Sequence, residues 1–137
     1  ESEIAILENS QGKRMTDDLE TIVSSDEILE MQEEVVNVHV DRSIYEYITM
    51  ICALTRKNPM VELGISPRGT VALLSMAKAH AYVMGRSYVT PEDVHAVFHD
   101  VAIHRIILNP KAKISGMTFD GIVKNILQTV PVPRKRQ

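Results

Sequence analysis

The sequence predicts an all-α fold, a bundle of five or six helices with at most a tiny two-stranded β ribbon. Aromatic residues make up 4% of the chain and Trp is absent. The core must therefore be built mainly from aliphatic side chains, which favours packed helices over a β sandwich. Several segments also repeat apolar residues at helical spacing. Polar residue–proline pairs stand before two of these segments, and such pairs are typical helix starts.

The composition is that of an ordinary soluble globular protein. Hydrophobic residues are 45% and charged residues 24% of the 137 residues. No apolar run approaches the roughly 18 residues of a membrane-spanning helix, and no signal peptide opens the chain. The single cysteine, Cys52, excludes an internal disulfide and favours a reducing compartment, so we expect a cytoplasmic protein. Because Glu1 is not preceded by Met, we expect a segment of a longer protein.

Charge is distributed unevenly along the chain. Residues 1–34 hold eleven acidic and two basic side chains, whereas residues 35–137 hold seven acidic and thirteen basic ones. The basic side chains are scattered, apart from the run Arg134-Lys135-Arg136. A nucleic-acid surface needs clustered bases, so nucleic-acid binding is not expected.

Three parts are predicted along the chain. Residues 1–22 form an N-terminal arm, with a short helix over 2–8 and a polar loop over 10–16. Residues 23–130 form the helical domain, and residues 131–137 form a disordered basic tail.

The first half of the helical domain holds two predicted helices. Ser24, with Glu27 completing a capping box, begins a helix over about 25–36. Asp41 caps the next, whose apolar period runs to Leu54 before Asn58-Pro59 ends it. The short stretch 38–40 alternates in polarity, and we expect it to pair with the extended residues 88–89.

The second half holds three more predicted helices. Ser66-Pro67 begins a long helix that Gly85 ends as the residue after its C-cap. Thr90-Pro91, followed by two acids, begins the next one. Thr118 caps the last helix, which stops before Pro131.

Gly64-Ile65-Ser66-Pro67-Arg68-Gly69 is the most informative local pattern. Arg68 falls in the first helical turn, where the helix dipole destabilises a cation by up to about 1 kcal/mol. A guanidinium beside unpaired helix N–H groups is, however, a strong binding site for phosphate. The pattern alone leaves two interpretations open, a phosphate-binding arginine and a solvated one.

A complete nucleotide site cannot be assembled from this sequence. The only Gly-Lys pair, Gly12-Lys13, is followed by Arg14 and lies in a polar stretch, so it does not match a phosphate-binding P-loop. No buried strand ends in acids that could hold Mg²⁺. The chain alone is therefore not expected to hydrolyse ATP.

Three runs, LGISPRG, ALLSMAKAHAYVMGRSYVTPEDV and HRIILNP, resemble the C-terminal lid of the MoxR family of AAA+ ATPases. The resemblance covers about residues 23–130, and residues 1–22 resemble the stretch that follows the family's ATPase core. Family members usually carry a small residue where Ile65 stands.

The resemblance implies that Arg68 is the sensor-2 arginine, which reaches the γ-phosphate of ATP. Gly64, Ser66 and Pro67 would shape the same nucleotide site. It further implies ATP and Mg²⁺ as cofactors of the full-length protein, its own ATPase core as partner, and a ring of six subunits. The implied function is chaperone-like remodelling or metal-cofactor insertion in a client protein.

A structural role is expected for most of the remaining candidate residues. The run Val-Thr-Pro-Glu-Asp-Val (89–94) is a helix start, and Cys52 is a buried small hydrophobe. His104 and Arg105 either bond the last carbonyls of a helix or contact a neighbouring subunit. His95 and His99 have a metal-binding spacing but no evident third ligand, so no metal site is expected.

The alternative function is a non-enzymatic DNA-binding module of the histone-fold or helix-turn-helix type. The basic surplus after residue 34 and the Val-Thr-Pro-Glu-Asp-Val run support it. The helix over 66–84, however, offers mainly Arg68 among Ala and Leu residues, which is poor for reading bases.

Overall fold

The computed structural model describes residue 4 and residues 19–133. In these residues it has six helices and one two-stranded antiparallel ribbon, which confirms the predicted fold class. The elements are α1 (Ser25–Val36), α2 (Arg42–Lys57), β1 (Val61–Leu63), α3 (Pro67–Val83), α4 (Pro91–Ala102), β2 (Ile107–Leu108), α5 (Pro110–Ile114) and α6 (Phe119–Thr129).

The chain forms two compact units, Glu1–Gln32 and Glu33–Gln137. The second unit contains every buried residue of the core. Among the described residues, no helix is both long and apolar enough to cross a membrane. The helix and loop predicted before residue 19, apart from residue 4, and the tail predicted after residue 133 lie outside the described residues.

Among the pairs of elements that the structure describes, α3 and α4 share the most extensive contact. The buried residues of α3 recur every four positions, at Gly69, Leu73, Ala77 and Ala81. Because three of these four are Gly or Ala, the α3 backbone approaches its neighbour closely. Val71 lies about 200° around the helix from Leu73 and is 63% exposed, so it does not contribute to the core.

The predicted helix starts are confirmed by their capping hydrogen bonds. In α1, the Ser24 N–H donates to Glu27 at 2.7 Å, and the Glu27 N–H donates to the Ser24 hydroxyl at 3.2 Å. The N-cap side chains of α2, α3 and α6 also accept a hydrogen bond from a first-turn N–H. These N-cap residues are Asp41, Ser66 and Thr118. Helix α5, capped by Asn109, was not predicted.

The expected pairing of residues 38–40 with 88–89 is reduced to one parallel bridge. It consists of the His39 N–H donating to the Ser87 carbonyl at 2.8 Å and the Val89 N–H donating to the His39 carbonyl at 3.0 Å. The ribbon instead joins β1 to β2. Extended pairing cannot propagate beyond the bridge, because α2 begins at Arg42 and α4 at Pro91.

Gly85 ends α3 as predicted. Its φ of 71° is a left-handed conformation that glycine adopts without strain. The Gly85 N–H donates to the Tyr82 carbonyl at 2.8 Å, and the Arg86 N–H donates to the Ala81 carbonyl at 2.9 Å. These two bonds form a Schellman motif, which turns the chain back toward α4.

Asp93 joins the end of α3 to the start of α4. The residue is fully buried, yet its carboxylate accepts from Arg86 through two nitrogens, from the Thr90 N–H at 2.7 Å, and lies 2.7 Å from His80 Nδ1. Burial alone would raise the pKa of Asp93, but the bonds from Arg86, Thr90 and His80 outweigh it and hold that pKa well below its usual value. The run 89–94 is therefore a structural helix start.

Candidate functional site

The start of α3 lies where the sequence places it. Ser66 is the N-cap and Pro67 the first helical residue, so Arg68 is the second. The Ser66 hydroxyl accepts from the Gly69 N–H at 3.3 Å, and the Ser66 carbonyl accepts from the Thr70 N–H at 2.9 Å. Pro67 has no N–H. In the described part of the chain, the Arg68 N–H therefore stays without an acceptor.

The Arg68 side chain is exposed. It has neither a hydrogen bond nor an ion pair to any residue that the structure describes. An open backbone N–H and a free guanidinium thus belong to the same residue, at the positive end of a 17-residue helix. This arrangement can receive an anionic oxygen from outside the chain.

The turn before α3 is fastened to the end of α2. The Ile65 N–H donates to the Thr55 hydroxyl at 2.9 Å, and Arg56 Nη1 donates to the Ile65 carbonyl at 2.5 Å. The Thr55 hydroxyl in turn donates to the Cys52 carbonyl at 2.7 Å. Thr55 and Ile65 are both fully buried, so the larger side chain at position 65 belongs to the core.

Gly64 lies directly against the α2 backbone. A Cβ at this position would stand 2.6 Å from the Arg56 nitrogen and 2.7 Å from the Thr55 carbonyl carbon. Only glycine permits such an approach. Gly64 and Ser66 therefore shape the turn through backbone packing and capping. Their contact with a nucleotide, like that of Pro67, stays a prediction.

Arg105 crosses the first turn of α3. Its Cδ would lie 3.1 Å from a Cβ on Gly69, and its Nη1 donates to the Val101 carbonyl at 2.7 Å. The Arg105 guanidinium also contacts the His104 ring. The bond to Val101 favours the helix-end interpretation of this pair, because Val101 lies in the last turn of α4.

The two histidines of α4 face different partners. His95 Nε2 bonds the Tyr47 hydroxyl, whereas His99 lies 3.0 Å from Asp120 and 3.3 Å from Asp100, one carboxylate at each ring nitrogen. These carboxylates raise the pKa of His99. Among the described residues, no three His, Cys, Asp or Glu side chains are grouped for a metal ion.

Cys52 is buried as predicted. Burial raises the pKa of its thiol, although Thr70 and Arg56 oppose that shift.

A groove of about 810 Å³ lies at the starts of α2 and α4, and its lining includes Glu46, Tyr88 and Glu92 but not Arg68. A phosphate at Arg68 would therefore lie outside this groove.

The helical bundle with an exposed arginine at the head of α3 is an AAA lid domain. The family described as AAA lid domain matches residues 53–126, a stretch that includes the end of α2, the α3 start and Arg105. Since this is more than half of the chain, the chain belongs to the AAA lid family and, among its members, to the MoxR type of AAA+ protein.

Relatives with known sequences support the MoxR assignment. The chain is 37% identical over 134 residues to the YeaC protein of Bacillus subtilis (strain 168), and this match covers 98% of the chain and 42% of YeaC. It is 31% identical over 122 residues to Chaperone MoxR1 of Mycobacterium tuberculosis, covering 82% of the chain and 32% of that protein. It is also 35% identical over 75 residues to Protein MoxR of Methylorubrum extorquens, covering 54% of the chain and 22% of that protein.

A solved structure agrees with this fold. A candidate ATPase from Cytophaga hutchinsonii superposes with a TM-score of 0.81 at 29% identity, covering 97% of the chain and 43% of that protein. The chain thus spans less than half the length of the relatives it matches.

Proposed function

We propose that this lid domain supplies Arg68, as the sensor-2 arginine, to ATP and Mg²⁺ held by the ATPase core of the full-length protein. The observation that carries the proposal is the free guanidinium beside an open N–H on an exposed helix start. A neutralised or buried Arg68 would not serve this purpose, because its charge would already be satisfied within the lid.

The proposed role follows from the chemistry of arginine. A guanidinium keeps its charge at any physiological pH and can donate two parallel hydrogen bonds to phosphate oxygens. Such a donor, fixed in position, stabilises the charge that develops on a transferring phosphoryl group. Because ADP lacks the γ-phosphate, the contact would form only in the ATP state and would make the lid's orientation depend on the nucleotide.

The full-length protein, on this proposal, is a cytoplasmic ATPase that works as a ring of six subunits. Hydrolysis would drive chaperone-like remodelling or metal-cofactor insertion in a client protein. The name of the relative Chaperone MoxR1 supports the remodelling role. The DNA-binding alternative gains no support from α3, because Arg68 is the one arginine or lysine in the first two turns of that helix.

The test compares Arg68→Ala and Arg68→Lys with the wild type in the full-length protein. We expect Arg68→Ala to lower kcat on the order of 100-fold or more, and to weaken binding of ATP while leaving that of ADP unchanged. Lysine should restore little, because it lacks the two-pronged donor geometry. Arg42→Ala is the matched control, since Arg42 is an exposed arginine paired with Glu46. Wild-type kcat in Arg68→Ala would refute the role.

A further inference from the structure

We propose that Thr55 and Arg56, at the end of α2, are positioning residues that fix the place of the Arg68 backbone, from which the guanidinium extends. This inference rests on the proposed sensor-2 role of Arg68. Neither residue needs to touch the nucleotide, because both act on the turn that begins α3.

The first step of the argument is the hold on Ile65. Two consecutive residues of α2 bond the Ile65 backbone. The Thr55 hydroxyl accepts from the Ile65 N–H at 2.9 Å, and Arg56 Nη1 donates to the Ile65 carbonyl at 2.5 Å. The Ile65 side chain is fully buried. Ile65 is therefore held at three points, and it cannot shift without breaking a hydrogen bond or opening the core.

The second step is the short path from Ile65 to Arg68. Only Ser66 and Pro67 intervene. Pro67 has its φ fixed by the ring, and Ser66 is fixed by its capping bond with Gly69. A residue held in place thus lies three positions from Arg68, and the backbone between them has little torsional freedom.

The third step is a second contact, from the segment that follows α4. The stem of Arg105 lies against Gly69, and its guanidinium is tied to the Val101 carbonyl. The first turn of α3 therefore lies between the end of α2 and the end of α4. Arg68 itself has no such support, so the placement of its charge depends on these neighbours.

Arg56 is the better residue to vary, because it is exposed, whereas Thr55 is buried and its loss could unfold the domain. Lys57 provides the matched control, since it is an adjacent exposed base whose side chain has no hydrogen bond to the described residues. The experiment measures ATP hydrolysis, ATP and ADP binding and thermal unfolding in the full-length protein. The variants are Arg56→Ala, Arg56→Lys, Lys57→Ala and Arg68→Ala, together with the double variant Arg56→Ala/Arg68→Ala.

We expect Arg56→Ala to lower kcat on the order of 10-fold to 100-fold, as a displacement of about 1 Å would. ATP binding should weaken and ADP binding should not. Arg56→Lys should recover part of the loss, and Lys57→Ala should behave as wild type. In the Arg68→Ala background, Arg56→Ala should cause no further loss, because a residue that acts through Arg68 has nothing left to position.

Two results would overturn the inference. One is an Arg56→Ala loss of equal size in both backgrounds, which would indicate an independent contact with the nucleotide or general damage to the lid. The other is a normal kcat in Arg56→Ala while Arg68→Ala is impaired. If Arg68→Ala itself retained wild-type activity, the sensor-2 proposal would fail instead, so the two failures are distinguishable.

Discussion

Gly64→Ala tests whether the turn before α3 is fixed as tightly as its geometry indicates. The new Cβ would meet the α2 backbone at 2.6 Å, and Cβ contacts under 3.0 Å essentially do not occur. The turn must therefore move away from α2 by at least about 0.4 Å. No side-chain rotation can relieve the clash, because the opposing atoms belong to the backbone of Thr55 and Arg56.

The magnitude follows from two contributions. Overpacking a closely packed contact costs about 1–3 kcal/mol. The displaced turn also weakens the two bonds on Ile65; each contributes about 1 kcal/mol, and losing about half of each adds about 1 kcal/mol. We expect a total of about 2–4 kcal/mol. A domain of some 100 residues loses roughly 4 °C in Tm per kcal/mol, so Tm should fall by about 8–16 °C.

Thermal and urea unfolding of the 137-residue chain, followed by circular dichroism, measure this loss. Gly121→Ala is the control, because its Cβ would meet only the side chains of Thr118 and Met117, at 3.3 and 3.4 Å. That substitution in α6 should change the free energy of unfolding by less than about 1 kcal/mol. If Gly64→Ala is as stable as Gly121→Ala, the turn is not fastened to α2 as we infer.

Two further predictions concern ionisable groups. The pKa of Asp93 is depressed in the fold, so its stabilisation is complete above the unfolded pKa near 3.9 and is lost as pH falls through the folded pKa. Asp93→Asn should therefore lower the free energy of unfolding by about 2–4 kcal/mol at pH 7, and this deficit should shrink by about 1 kcal/mol at pH 3 in urea titrations. A deficit independent of pH would contradict it. The pKa of His99 is raised by Asp100 and Asp120, so this stabilisation is present below the unfolded pKa near 6.5 and is lost as pH rises through the folded pKa. NMR titration should show Asp120→Asn lowering the pKa of His99 and Glu46→Gln leaving it unchanged; an unaltered pKa in Asp120→Asn would disprove the pairing.

The helix starts could be predicted because their determinants are local. A capping oxygen, a proline at the first position and an acid three residues later interact within one turn, so Ser66 and Thr90 fixed two helix starts correctly. The position of Arg68 at the head of α3 followed from the same local rule. Asn109-Pro110 carries the same signal, but α5 has only five residues and no apolar period, so the sequence does not predict this helix.

The contacts between elements could not be predicted in the same way. Strands of two and three residues carry almost no pairing information, so the sequence does not predict β1 and β2, and it predicts a ribbon where the structure has one bridge at His39. The hold of Thr55 and Arg56 on Ile65 joins residues nine and ten positions apart. The sequence did contain one indication of it, the glycine at position 64, since glycine outside a positive-φ turn often marks a close backbone approach.

The way α3 is held determines how a displacement of Arg68 would be transmitted through the domain. Arg68 lies at one end of a helix of 17 residues, about 25 Å long, and Asp93 fastens the other end through Arg86 and His80. Between them, Gly69, Leu73, Ala77 and Ala81 are buried at every fourth position, and α3 has its most extensive contact with α4. A dense interface with bonded ends resists bending, so α3 and α4 should move together as one rigid body. A γ-phosphate that draws Arg68 toward it would then displace the Asp93 end as well, rather than being absorbed by local adjustment at the turn.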